Sequence, residues 1–147
     1  MLRAFLDARA DRRRQRVAQS LSIEHARSRA ARGAALLDDE DPGWAANVDP
    51  HSLQLSDGQA CVLGQLHGDY RRGLTRSRAI DASSAPGRFV SPIDLGFQAV
   101  REAGADAEAL DYAFLTRAWR EEVEQRRPDY EPGGAPSRRT EVPQRLQ

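Results

Sequence analysis

Apolar residues recur along this chain at spacings of three and four, the helical period, and nowhere alternate as strands do. The first such segment is the faintest. Residues 2–19 contain nothing that breaks a helix, but Leu2, Phe5, Leu6 and Val17 make only a thin stripe, interrupted by Arg12, Arg13, Arg14 and Arg16. A second helix opens at Ser20 or Ser22, since either side chain can accept from the free N–H groups of a first turn. It carries Ile23, Ala26, Ala30, Ala34 and Leu37 on one face. The acidic run 38–41 and the turn Pro42-Gly43 then stop it before Trp44. Asp49-Pro50 pairs a capping aspartate with a proline at the first helical position and opens a short turn through Leu53.

Ser56 and Gln59 fit a capping box, each side chain satisfying the other residue's free backbone N–H, and predict a helix over 57–70. Val62, Leu63, Leu66 and Tyr70 fall on one side of it, and Cys61, Gly64 and Gly68 form a narrow stripe on the other. A helical glycine costs about 1 kcal/mol against alanine. The stripe is therefore either a place where another backbone packs closely, or a helix end whose glycines are caps. Residues 71–90 read as a loop with at most one helical turn. Ser91-Pro92-Ile93-Asp94 gives cap, proline and acid in order, predicting a helix to residue 103 with Ile93, Phe97 and Val100 inward and Gly104 ending it. From Asp106 to Arg127 a last helix carries Leu110, Phe114, Leu115, Ala118, Trp119 and Val123, with Glu121, Glu122, Glu124, Arg126 and Arg127 as its solvated face. The expected fold is all-α: a small irregular bundle of four to five helices over residues 22–127. A flexible arginine-rich arm (1–21) precedes it and a disordered, proline-containing tail (128–147) follows. Its core would be Trp44, Val62, Leu63, Leu66, Tyr70, Phe97, Phe114 and Trp119.

Composition sharpens this picture. Only 39% of the 147 residues are hydrophobic, and many of those are alanines, so the core must be modest. Net charge is zero but unevenly spread: residues 1–32 hold nine arginines against three acids, a net of +6, leaving −6 on the remainder. All 22 basic residues are arginine, a bias that GC-rich codons produce without functional need. A lone cysteine rules out an internal disulfide framework and a multi-cysteine zinc site within one chain. With no apolar signal core and no run long enough to span a bilayer, a cytoplasmic protein without membrane contact is expected.

The string Gly33-Ala34-Ala35-Leu36-Leu37-Asp38, then Pro42-Gly43-Trp44, Cys61-Val62-Leu63-Gly64-Gln65-Leu66 and Gly68-Asp69-Tyr70, resembles a family of small actinobacterial and actinobacteriophage proteins. Leu95-Gly96-Phe97 and Ala118-Trp119-Arg120 follow in similar order, so the resemblance covers residues 31–127. It implies a source and a fold unit, and carries over no catalytic residue.

Candidate chemistry is sparse. Cys61 and His67 lie six residues apart, about 240° around a shared helix, and so face apart. Cys61, His67 and Asp69 fail as metal ligands on the same geometry, and Asp57 with Cys61 gives only two. No phosphate-binding loop, dinucleotide fingerprint, zinc-protease or serine-hydrolase motif is present. The sequence therefore points away from an enzyme and predicts no catalytic residue, cofactor or metal. The leading expectation is a protein-interaction module, an adaptor or assembly component, that docks through Phe5, Leu6, Arg12, Arg13, Arg14 and Arg16, alone or as an oligomer. The alternative is weak, salt-sensitive nucleic-acid binding through the same arginines. An enzyme of unrecognised type stands third.

Overall fold

Two residues of extended backbone, Leu21 and Ser22, separate the first two helices of the chain. Ser22 sets where the second begins: its side chain accepts the His25 N–H at 3.0 Å. The computed structural model describes residues 1–77 and 91–127. In it α1 spans Leu2–Ser20, α2 Ile23–Glu40, α3 Val62–His67, α4 Tyr70–Arg76 and α5 Ala105–Arg126, with a 3-10 turn at Trp44–Asn47. The described residues contain five α-helices and no strand, the all-α class the periodicity predicts. The predicted tail over 128–147 and most of the predicted loop, residues 78–90, lie outside the described residues.

The core forms where α2 presents almost no side-chain volume. Its inward face is Ala26, Arg29, Ala30, Gly33, Ala34 and Leu37. Against this face lie Trp119 of α5 and the backbone of residues 93–99. A Cβ at Gly33 would fall 2.7 Å from the Trp119 ring and against the Leu95 carbonyl oxygen. A Cβ at Gly96 would meet the Ala30 backbone at 2.8 Å, and Gly96 also sits at φ +71, a conformation that favours glycine. Trp119 is fully buried and donates its ring N–H to the Gly96 carbonyl at 2.6 Å. Phe97 stacks on it at 5.2 Å and Trp44 meets it edge-on at 5.8 Å. The glycine, tryptophan and Leu-Gly-Phe pieces of the sequence string thus converge on one indole ring.

One ion pair crosses this core. Arg29 and Asp111 are only 2% and 1% exposed. Arg29 Nη1 donates to both Asp111 oxygens at 2.9 and 3.0 Å, Nε to the Ile93 carbonyl at 2.8 Å and Nη2 to the Gln98 carbonyl at 2.9 Å. Asp111 also accepts the Val100 N–H at 2.9 Å. Two helices and an irregular segment are locked by two side chains, and no buried side-chain polar atom among the described residues lacks a partner.

Several expected elements differ, each for a local reason. The predicted helix over 57–70 is a turn followed by α3 alone, while α4 starts at Tyr70 and occupies residues 71–76, where a loop with at most one helical turn is expected. The Ser56–Gln59 capping box does not form, because the Asp57 carboxylate takes the Gln59 and Ala60 N–H groups at 2.8 and 3.2 Å. Cys61 becomes the N-cap of α3, its sulfur accepting the Gly64 N–H, and Gly68 ends that helix at φ +99. Cys61, Gly64 and Gly68 are therefore a cap, an interior position and a terminus, not one face of one helix. Close approach does occur at Gly64, where a Cβ would run into the Gly58 carbonyl oxygen and the Gln59 backbone at 2.7 Å.

The helix expected from Ser91 to 103 stops after a single turn. Its reciprocal cap does form, Ser91 N–H to Asp94 and Asp94 N–H to Ser91 Oγ, both at 3.2 Å. Propagation fails because the carbonyls of Ile93, Gly96 and Gln98 accept from Arg29 and Trp119. On α5 the expected inward Leu110 is 49% exposed, and the buried position in its place is Asp111. Of the expected core, Trp44, Val62, Leu63, Phe97 and Trp119 are buried, while Leu66, Tyr70 and Phe114 are half-buried against the cluster.

Removing one member of a buried ion pair strands the other, at a cost of about 3–5 kcal/mol. Asp111→Ala should lower unfolding free energy in urea by about that much. The double variant Arg29→Met with Asp111→Leu should lose less than the sum of the single losses, because no uncompensated charge then remains.

Candidate functional site

The residues that carry charge on the body are mostly spent on holding it together. Arg126 donates to Asp38 through Nε and Nη2 at 2.9 and 2.8 Å, reaches Glu122 at 2.6 Å and lies 5.5 Å over the Trp44 ring. Trp44 in turn donates to Asp38 at 2.9 Å. Arg27 forms a two-pronged pair with Glu121 at 2.8 and 3.0 Å, and Arg127 donates to the Val48 carbonyl. Ser77 donates to Glu40 at 3.2 Å. The acidic run and the charged end of α5, the latter expected to be a solvated face, are thus partly clasped to each other. Hydrogen bonds from Arg126 hold the Asp38 carboxyl below the usual carboxylate range, and those from Arg27 do the same for Glu121.

Cys61 offers no nucleophile. It is 2% exposed, and burial pushes its thiol above the ordinary cysteine range, so it stays protonated. Its sulfur is engaged as a helix cap with the Gly64 N–H at 3.3 Å. Burial likewise pushes the Tyr70 phenol up to about 12, and its hydroxyl donates to Gln98 at 3.0 Å. Among the described residues no group of three or more His, Cys, Asp or Glu side chains could hold a metal ion. No described helix is long and apolar enough to cross a membrane.

Helix α1 is a different kind of surface. None of its side chains is buried, and Leu2, Phe5 and Leu6 are 76%, 60% and 54% exposed. At about 100° per residue these three share one face with Arg9, Arg13 and Arg16, so the face runs from an apolar tip into a basic stripe. Arg12 flanks it and bonds its own helix at Ala8, while Arg14 lies on another side, 3.9 Å from Asp11. The link to the body is Arg13, which forks onto the exposed Glu102 at 3.0 and 3.1 Å. Arg9 and Arg16 have no carboxylate partner among the described residues. The sequence flagged Phe5, Leu6, Arg12, Arg13, Arg14 and Arg16. The structure groups the first two with Arg13 and Arg16 and sets Arg14 apart.

Two open grooves mark the body. One, of about 680 Å³, runs beside α4 and is lined by Tyr70, Arg71, Arg72, Thr75 and Arg76 with Gly58 and Asp69. The other, about 490 Å³, lies between α5 and the turn at Gln54 and Ser56, bordered by Ala109, Tyr112, Ala113, Thr116, Arg117 and Arg120. Sequence periodicity puts Leu110 on the apolar stripe of α5 and does not mark out this exposed strip. Its signal was there in Ala109 and Ala113, small residues off the apolar stripe. Compared with family models, with curated proteins and with solved structures, the chain matches none.

A buried thiol held protonated should react slowly with an aromatic disulfide reagent in the folded protein and rapidly in denaturant; fast labelling without denaturant would contradict the burial of Cys61. Asp38 supplies the pH dependence. Its folded pKa lies below its unfolded one, so its contribution is complete above the unfolded value and vanishes as pH falls through the folded one. The difference in melting temperature between the native chain and Asp38→Asn should therefore be largest near neutrality and shrink as pH falls through and below the ordinary carboxylate range.

Proposed function

We propose that this chain is a non-enzymatic protein-interaction module, an adaptor or assembly component, whose docking element is α1. The observation that carries this reading is the exposed α1 face, with Leu2, Phe5 and Leu6 uncovered beside Arg9 and Arg16. A helix that buries no side chain in its own fold gains its packing from a partner, and an amphipathic helix laid into a groove is a common mode of peptide recognition. The body supports the same reading. Its charged residues clasp one another, its cysteine is capped and buried, and its described carboxylates and histidines form no three-ligand cluster.

A second reading, nucleic-acid binding, is favoured by Arg71, Arg72 and Arg76 along the groove beside α4, which add to the arginines of α1. The two differ in what they need: phosphate contacts use charge alone and weaken steeply with salt, whereas an apolar tip seated in a protein groove persists.

The experiment compares three chains: full length, one lacking residues 1–20, and Leu2→Asp with Phe5→Asp. Since α1 adds no buried side chain, all three should melt within a few degrees of each other. Protein capture should survive moderate salt with the first chain and disappear with the other two. Capture that ignores the apolar tip would overturn this reading, and duplex DNA binding lost on a modest salt increase would replace it with the second.

A further inference from the structure

Among the described residues five large hydrophobic side chains are exposed: Met1, Leu2, Phe5 and Leu6 at the tip of α1, and Leu110 on α5. Leu110 is not isolated. Asp106, Ala109, Leu110, Ala113 and Arg117 are all exposed and recur at spacings of three and four, a single solvent-facing strip along the first three turns of α5. The strip begins acidic, with Asp106 and nearby Glu102, and becomes apolar toward Ala113. The α1 face begins apolar and becomes basic. Laid antiparallel, the two match from the Asp106 end to Ala113: when Leu6 lies opposite Leu110, Arg9 falls opposite Asp106, since both steps are about one helical turn.

Charge favours the same pairing. Residues 1–20 carry six arginines and two aspartates, a net of +4, and the whole chain is neutral, so everything beyond α1 carries −4. Within one chain the Arg13–Glu102 pair joins the basic part of the α1 face to the acidic start of the strip, while the α1 tip and Leu110 remain in solvent.

Resting on the reading of α1 as a docking helix, we propose that its partner is a second copy of this chain: α1 of each copy packs antiparallel on the Asp106–Leu110–Ala113 strip of the other. When the exchange is reciprocal, each copy giving its helix to the copy from which it receives one, it closes into a two-fold dimer with no unsatisfied end. Apolar tip against apolar strip supplies the adhesion, and Arg9 against Asp106 sets direction and register.

The test uses the full-length chain and sedimentation over a concentration series. The native chain should sediment at twice its 16.3 kDa. Phe5→Asp and Leu110→Asp both alter exposed positions, so each should keep its helical circular dichroism while weakening dimerisation about tenfold or more. Mixing the two variants should restore dimers, because the mixed pair keeps one intact contact: native α1 from the Leu110→Asp chain on the native strip of the Phe5→Asp chain. A monomeric native chain overturns self-pairing. If α1 is then still required for capture of a different protein, the docking reading stands without it; if capture also ignores α1, both fall. Dimers that survive Leu110→Asp, or variants that do not complement, place the contact elsewhere and overturn the proposal.

Discussion

The body of this protein depends on one buried charge pair. Arg29 and Asp111 face each other across a core with little volume of its own. Taking both out of water costs several kcal/mol per ion unless every donor and acceptor is satisfied. Here they are, and the way they are satisfied sets the architecture. The carbonyls of Ile93 and Gln98 must point at α2, and the Val100 N–H at α5. Residues 91–100 are consequently drawn down as irregular backbone against the alanine and glycine face of α2, instead of forming a helix of their own. The same draw brings Gly96 beneath Trp119 and lets the indole N–H find its carbonyl.

Much of this was legible in the residues, and the failures have a common cause. Ser22 as a cap, the α2 face through Leu37, and the long last helix follow from local rules that the tertiary structure leaves intact. Residues 91–103 obeyed the local rules as well, with cap, proline and acid in place, but the carbonyls needed for propagation were claimed from 64 and 69 residues away by Arg29. Local patterning has no access to such a claim. A signal for it existed: Arg29 lies among Ala26, Ala30 and Gly33 on the apolar face of α2, and Asp111 sits four residues before Leu115 on that of α5. A charge on each of two inward faces asks for an opposite charge. Reading alanines as a sign of a meagre core missed their use, which is to let backbone and a large ring approach.

The candidate surface was legible in kind and blurred in detail. Exposed apolar residues beside arginines identify α1 from composition alone, but which of its arginines share the apolar face depends on helical phase. Arg13 and Arg16 belong to it, and Arg14 does not. Leu110 was assigned inward because its spacing to Phe114 fits the apolar stripe; the ion pair at Asp111 rotates α5 so that its neighbour turns outward.

The arrangement also governs how the molecule comes apart. Segments without regular secondary structure usually open first, exchanging their amide hydrogens long before the helices around them. Residues 91–100 are placed to break that habit. Lifting them off α2 would remove two of the acceptors that make Arg29 tolerable inside the core and the N–H that shares Asp111. A segment without helix is thereby tied to the unfolding of the core it lies on.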